Sequence, residues 1–259
     1  MYGVLRKIHA GALVGFAALV VAATFFVPTS VGATPAAVQA APLSSDQLQS
    51  ILLPANAYPN GTVLYKMTYA DALAGTGCTS MTDTEPEPIA CGAGFMAPSP
   101  DLVISPDACG AQAVSTAFGD ASGITGWIQT GSLPAGPDGA RPEVFGLAAT
   151  TPGGAQLDRI AANVAACRAG TVSMPALGLS GTVRLAQFPV SGFDGARTFG
   201  LLVSTTFGGA SAANGAGAMT AAMVFVTTGD LVVIACEPEV QGALNMARGM
   251  YSRALAVVG

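Results

Sequence analysis

Histidine occurs once in this 259-residue chain, as His9. A Ser-His-Asp or Cys-His device therefore has no base anywhere beyond that position. Lysine is nearly as scarce: past Lys7 there is only Lys66, and no S-x-x-K motif leads to it. No G-x-S-x-G elbow and no phosphate-binding loop occurs. There is no C-x-x-C either, so zinc lacks both of its usual ligand patterns. Charged residues make up 10% of the chain, against 33 glycines and 51% hydrophobic residues. Much of that hydrophobic fraction is alanine. Bulky Val, Leu, Ile, Phe and Met still recur in separate short runs, enough for one ordinary core.

What is present begins at the N-terminus. Arg6 and Lys7 precede an uncharged apolar run from Ala10 to Val27, which Pro28 breaks. The stretch "SVGA" then sets Val31 and Ala33 at small-residue cleavage spacing, and a second candidate, "VQA", ends at Ala40. This is the pattern of a secretory signal peptide. At about 18 residues the run is near the lower limit for spanning a bilayer, so an uncleaved anchor is the alternative. The expected organisation is residues 1–33 as signal peptide or uncleaved anchor, 34–44 as a Pro/Ala linker, and 45–259 as a single domain. The expected location is secreted, extracellular or in the cell envelope. No cysteine precedes Cys78, so a lipoprotein anchor has no acceptor. Taking Arg6 and Lys7 from the 10 basic residues leaves 8 against 15 acidic ones, a net charge of −7. That balance argues against nucleic acid and anionic lipid headgroups as partners. Membrane contact is expected only through the N-terminal segment, if it is uncleaved.

Outside the cytoplasm the five cysteines, Cys78, Cys91, Cys109, Cys167 and Cys236, read as bridges before metal ligands. Two bridges and one leftover allow 15 arrangements, and spacing alone does not choose among them. Cys78 and Cys91 lie 13 positions apart, and joining them would be worth about 3 kcal/mol in the chain-entropy model. A Cys109 to Cys167 bridge would span about 58 residues and be worth about 4 kcal/mol. Bridges are expected for these four. Cys236 is expected to be a free thiol, because it alternates with Val232 and Ile234 in a strand and suits a buried site.

Periodicity places the elements. "SSDQLQSILLP" predicts a short helix with Ser45 as N-cap. "TVLYKMTY" alternates as a strand with Val63, Tyr65 and Met67 on one side. Residues 71–100 read as an irregular loop. "SPDACGAQAVSTAFG" predicts a helix capped at Ser105 and stopped at Gly119. "ITGWIQTG" and "EVFGLAATT" read as strands. "LDRIAANVAACRAG" predicts a helix whose apolar stripe runs Leu157, Ile160, Val164, Cys167, with Gly170 as its C′ stop. "GTVRLAQFPV", "RTFGLLVSTTF", "MTAAMVFV" and "LVVIACE" follow as strands, the last two joined by a "TTGD" hairpin turn. "GGASAANGAGA" reads as a flexible loop. A terminal helix opens after Pro238, with Val240, Leu244, Ala247, Tyr251 and Leu255 inward and Gln241, Asn245, Arg248 and Ser252 outward. The expected fold is α+β: a central antiparallel sheet of about six strands, helices packed mainly on one face, stapled by disulfides.

Two acidic arrangements are worth weighing. Asp83, Glu85 and Glu87 form a cluster without the ligand order of a calcium loop. Glu143, Asp158, Asp194 and Asp230 are the carboxylates available for a paired-acid hydrolase, but they fall at strand ends, turns or a helix start. Neither arrangement amounts to a catalytic or metal site, and the chain is read as a non-enzyme with no cofactor.

The motifs "SPDAC" at 105–109, "RIAANVAAC" at 159–167 and "GDLVVIAC" at 229–236 resemble the exported sensor-type domains of actinobacteria. That family includes the PknH-like extracellular domain and related secreted proteins and lipoproteins. The resemblance spans about residues 45–257 in order of elements. It implies an α+β domain with a central antiparallel sheet, two disulfides and a cleft for an unknown ligand. By matching motifs it pairs Cys109 with Cys167. The family's second bridge would join Cys236 to a cysteine of a preceding strand, and this chain has none between 168 and 235. The function these readings support is a non-catalytic, sensor-like domain that binds a small ligand or an envelope protein. The alternatives are a carboxylate-dependent envelope hydrolase and a structural wall-associated protein.

Overall fold

The fold was obtained as a computed structural model, which describes residues 43–74, 77–82, 103–106, 109, 123–137, 139, 141–152, 154–175, 179–208 and 218–258. In chain order the elements are α1 (Ser45–Ile51), β1 (Val63–Thr68), α2 (Tyr69–Ala74), β2 (Thr79–Ser80), β3 (Val103–Ser105), β4 (Thr125–Ser132) and β5 (Glu143–Thr150). Then come α3 (Leu157–Ala166), β6 (Gly170–Met174), β7 (Leu179–Phe188), β8 (Arg197–Gly208), β9 (Ala218–Thr228), β10 (Leu231–Glu237) and α4 (Val240–Val258). The strands form one sheet in the order β2-β1-β4-β5-β10-β9-β8-β7-β6-β3, with every neighbouring pair antiparallel.

Strand composition follows position in that order. β5 and β10 lie mid-sheet, and their interior residues are buried on both sides. A strand covered on both faces has no solvent side to keep polar, hence the continuous run "LVVIAC". β9 and β10 are joined by a two-residue turn, because Thr228 pairs with Leu231. Gly229 takes φ +57° there, a conformation that favours glycine.

Pleating sends alternate residues to two separate cores. One face gathers Ile128, Phe145, Leu147, Ile234, Phe225 and Leu201, covered by Tyr69 and Ala72 of α2 and Leu157, Ile160 and Val164 of α3. The other gathers Val144, Ala148, Val233, Ala235 and Val224, covered by Leu48 and Ile51 of α1 and by the Ala–Met stripe of α4. The α+β class and the antiparallel sheet are as expected. The strand number is not: among the described residues the sheet has ten strands, where about six were expected. Helices also pack on both faces rather than mainly on one, because the mid-sheet strands bury both of their sides.

Local expectations need four corrections. The N-cap of α1 is Ser44, one residue before Ser45, since Ser44 and Gln47 form a reciprocal capping box. α3 ends at Ala166 with Cys167 as its C-cap, and Gly170 is the first residue of β6 rather than a helix stop. The inner face of α4 is Ala243, Met246, Ala247, Met250, Tyr251 and Ala254, while Leu255 is 52% exposed. Gly146 of β5 explains that rotation: a β-carbon there would stand 2.7 Å from Cε of Met246. The missing side chain leaves a furrow that methionine fills. Finally, the stretch read as loop after residue 70 carries α2 and β2. Most of the expected helix over 105–119 lies outside the described residues, but Ser105 itself ends β3. Residues 1–42, the Asp83–Glu85–Glu87 cluster and the loop over 209–217 lie outside them too.

Candidate functional site

The disulfide is the first feature these elements assemble. Cys167, at the C-terminal cap of α3, is bonded to Cys109, just past β3, with their α-carbons 5.0 Å apart. Both cysteines are 1% exposed and belong to the core under α3. The bridge therefore ties α3 to the chain leaving the edge strand β3. Gly170 makes room for it: a β-carbon there would meet the Ser105 carbonyl oxygen and the Cys109 sulfur. Cys78 is also disulfide-bonded, and its partner lies outside the described residues.

A polar node sits under α1. Gln129 of β4 is fully buried. Its Nε2 donates to the Leu53 carbonyl at 2.8 Å and to Sδ of Met81 at 3.3 Å. Its Oε1 accepts from the Tyr58 hydroxyl at 3.1 Å. A buried amide is costly unless it is paired, and here both ends are paired, so the node reads as structural. It fastens the segment after α1 and the end of β2 onto the sheet.

The third feature is the end of the sheet where β5 starts and β10 stops. Cys236 is free and buried. Burial, then Glu143 and Glu237, push its thiol up to about 12. A thiolate is the reactive form, so this thiol is a poor nucleophile at neutral pH. Burial, then Glu239, raises the Glu237 carboxyl above its ordinary range. Burial, then Glu237, raises the Tyr58 phenol. Strand alternation sets Glu143 on the face of Phe145 and Leu147, and Glu237 on the opposite face with Val233 and Ala235. Two carboxyls on opposite faces of one sheet cannot flank one bond.

The other candidate acids are dispersed. Asp158 pairs with Arg197 at 2.7 Å, with side chains 91% and 60% exposed; such a pair is worth at most about 1 kcal/mol. Asp194 lies between β7 and β8, where its backbone carbonyl accepts from Tyr251 at 2.7 Å. Asp230 is in the β9–β10 turn, and its carbonyl accepts from the Thr151 N–H at 2.9 Å. Thr151 follows the far end of β5 from Glu143, about 25 Å away at the usual rise per strand residue. Among the described residues no group of three or more His, Cys, Asp or Glu is placed to hold a metal ion. No helix among them is long and apolar enough to cross a membrane.

Sequence reading missed Gln129, Tyr58 and Glu237. Gln129 carried a signal: it is polar at an inward position of "TGWIQTG", between buried Ile128 and Thr130. Glu237 is the acid ending an apolar strand run directly before a helix.

No protein-family model matches this chain, and no curated protein does. Solved structures similar to it include two from mycobacteria. An uncharacterised protein from Mycobacterium smegmatis, the Rv0999 ortholog, shares 12% identity at a TM-score of 0.43, covering 83% of this chain and 98% of that one. The extracellular domain of PknH from Mycobacterium tuberculosis shares 16% identity at a TM-score of 0.38, covering 84% of this chain and 97% of that one. At these scores neither likeness says what this chain binds or does; the second is to a member of the family that its motifs resemble.

Proposed function

We propose that this chain is an exported, non-catalytic binding domain of the cell envelope, secreted or held by its N-terminal segment, with a small ligand or an envelope protein as its partner. The observation that carries this reading is the buried Cys109–Cys167 bridge. Such bonds form and persist in oxidising compartments. The apolar N-terminal run with its basic start supports the same compartment. Against catalysis stand the inert Cys236 thiol and the dispersal of Glu143, Asp158, Asp194 and Asp230.

Two measurements test it. Non-reducing peptide mapping of the protein recovered from intact cells is expected to find Cys109 and Cys167 linked; reduced cysteines would place the chain in the cytoplasm. Purified protein offered glycoside, ester and peptide substrates is expected to give no turnover. Hydrolysis abolished by Glu143→Gln or Glu237→Gln would replace the binding reading with an enzymatic one.

A further inference from the structure

The cysteine bonds of this chain differ in how closely a thiol can approach them. Of the five cysteines, Cys109 and Cys167 are bonded to each other and Cys236 is free. Cys78 is disulfide-bonded, so by count its partner is Cys91, the cysteine left over. The Cys109–Cys167 bond is sealed in the core under α3, with each cysteine 1% exposed. Cys78 lies at the border of that core. It is half-buried, between the exposed residues Gly77 and Thr79, and packs only partly against the core. It leads into β2, the two-residue strand at one end of the sheet. β2 has attachments of its own. Thr79 and Ser80 pair with Lys66 and Tyr65, the Met81 N–H donates to the Leu64 carbonyl at 2.8 Å, and Sδ of Met81 accepts from Gln129 at 3.3 Å. Opening the Cys78 bond therefore leaves β2 paired and both cores in place. Opening Cys109–Cys167 would release α3 from the chain leaving β3. The charge beside Cys78 is that of Asp71: a β-carbon on Gly77 would meet its carboxyl group, which accepts from the Thr68 hydroxyl at 2.6 Å. That carboxylate repels a reductant carrying further negative charge and leaves a dithiol without one as the better reagent.

We propose that the Cys78–Cys91 bond is a site of thiol–disulfide exchange, opened by a dithiol while the domain stays folded and Cys109–Cys167 stays closed. One thiolate of the dithiol attacks a sulfur of the bond. The S–S bond breaks, a mixed disulfide forms, and the other cysteine leaves as a thiolate that takes up a proton. The second thiol of the reagent loses its proton, attacks its own sulfur in the mixed disulfide and releases the second cysteine. The protein bond is reduced to two thiols, and the dithiol is oxidised to a disulfide. The rate of such exchange depends on access to the attacked sulfur, and exposed disulfides are the labile ones. Cys78 offers that access at the sheet edge, whereas Cys109 and Cys167 offer it only when the core opens. The chain thus carries one bond that holds the fold and one that follows the thiol–disulfide balance of its surroundings. This division of labour is independent of what the domain binds.

The test treats the whole native chain with dithiothreitol at pH 8 without denaturant. Samples are quenched in acid over time, their free thiols are alkylated, and the labelled peptides are mapped. Cys78 and Cys91 are expected to be labelled together, at least about a hundredfold faster than Cys109 and Cys167, because the buried bond must wait for the core to open. The selectively reduced protein is expected to keep a cooperative thermal transition at a lower midpoint. Replacing Cys78 and Cys91 together by Ser is expected to abolish the fast phase and leave the slow one. If that variant does not fold, the time course of the parent decides by itself. Equal rates for the two bonds, earlier opening of Cys109–Cys167, or loss of the cooperative transition as Cys78 is labelled would overturn the proposal. So would a map that joins Cys78 to any cysteine other than Cys91.

Discussion

Gly170 faces the sulfur of Cys109 so closely that a β-carbon on it would stand 2.8 Å from Sγ. The same atom would lie 2.6 Å from the Ser105 carbonyl oxygen. Both neighbours are fixed, one by a disulfide and the other by its place in the sheet. Gly170→Ala is therefore expected to lose about 1–3 kcal/mol, the range for forcing one extra carbon into a packed site. Urea denaturation with the bridge intact checks this, and unchanged stability would show that β3 and β6 yield more easily than their pairing implies.

Removing the bridge has a separate expected cost. Replacing Cys109 and Cys167 together by Ser opens a loop of 58 residues. The chain-entropy model puts the loss at about 4 kcal/mol, a large share of the 5–15 kcal/mol that is typical of a domain. The melting temperature should fall steeply, and any remaining effect of reductant should come from the bridge of Cys78 alone. A double variant as stable as the parent would mean that the bridge adds nothing beyond the core it lies in.

Tyr251 holds the β7–β8 connection to α4. Its hydroxyl donates to the Asp194 carbonyl at 2.7 Å, and its ring lies 5.6 Å from that of Phe193. Tyr251→Phe removes the hydrogen bond and keeps the ring, with an expected loss of about 1 kcal/mol. Phe193→Ala removes a buried ring and should cost about 3–5 kcal/mol. Combining the two in a double-mutant cycle should give a non-additive total, because both act on one attachment.

Cys236 is expected to be silent toward thiol reagents at pH 8 in the folded protein and reactive once denaturant is added. Its folded-state value, pushed up to about 12, lies above the ordinary thiol value of 9.0. Its proton therefore supports the fold fully below about pH 9, and that support is lost as pH rises toward 12. Cys236→Ala should flatten the alkaline limb of the stability profile. Rapid alkylation of the native protein would contradict the buried, protonated thiol.

Much of the fold was legible because it has local causes. The Leu157, Ile160, Val164, Cys167 stripe recurs at helical spacing, and all four side chains are buried. "TTGD" between two apolar runs carries its turn in the glycine itself. The free state of Cys236 was readable from its place in a buried strand. β3 and β6 escaped because they are short, at 3 and 5 residues, and too brief to display a period. Gly170 was misread for a related reason. A glycine after a helical stripe is locally a stop signal, and only β3 and Cys109, brought against it from elsewhere in the chain, give it a different role. The Tyr58–Gln129 node joins residues 71 positions apart, and no local pattern links them.

By itself the sequence determined the longer strands and helices, that catalysis by histidine is excluded beyond residue 9, and that the cysteines suit an oxidising compartment. Periodicity and residue chemistry act over a few neighbours, so they can be read without the fold. The tertiary structure alone decided that helices cover both faces of the sheet, that α4 turns its alanines and methionines inward over Gly146, and that Tyr58 meets Gln129 beneath α1. Those outcomes depend on the volume left between elements and on polar groups brought together from distant segments, and neither exists before the chain has packed.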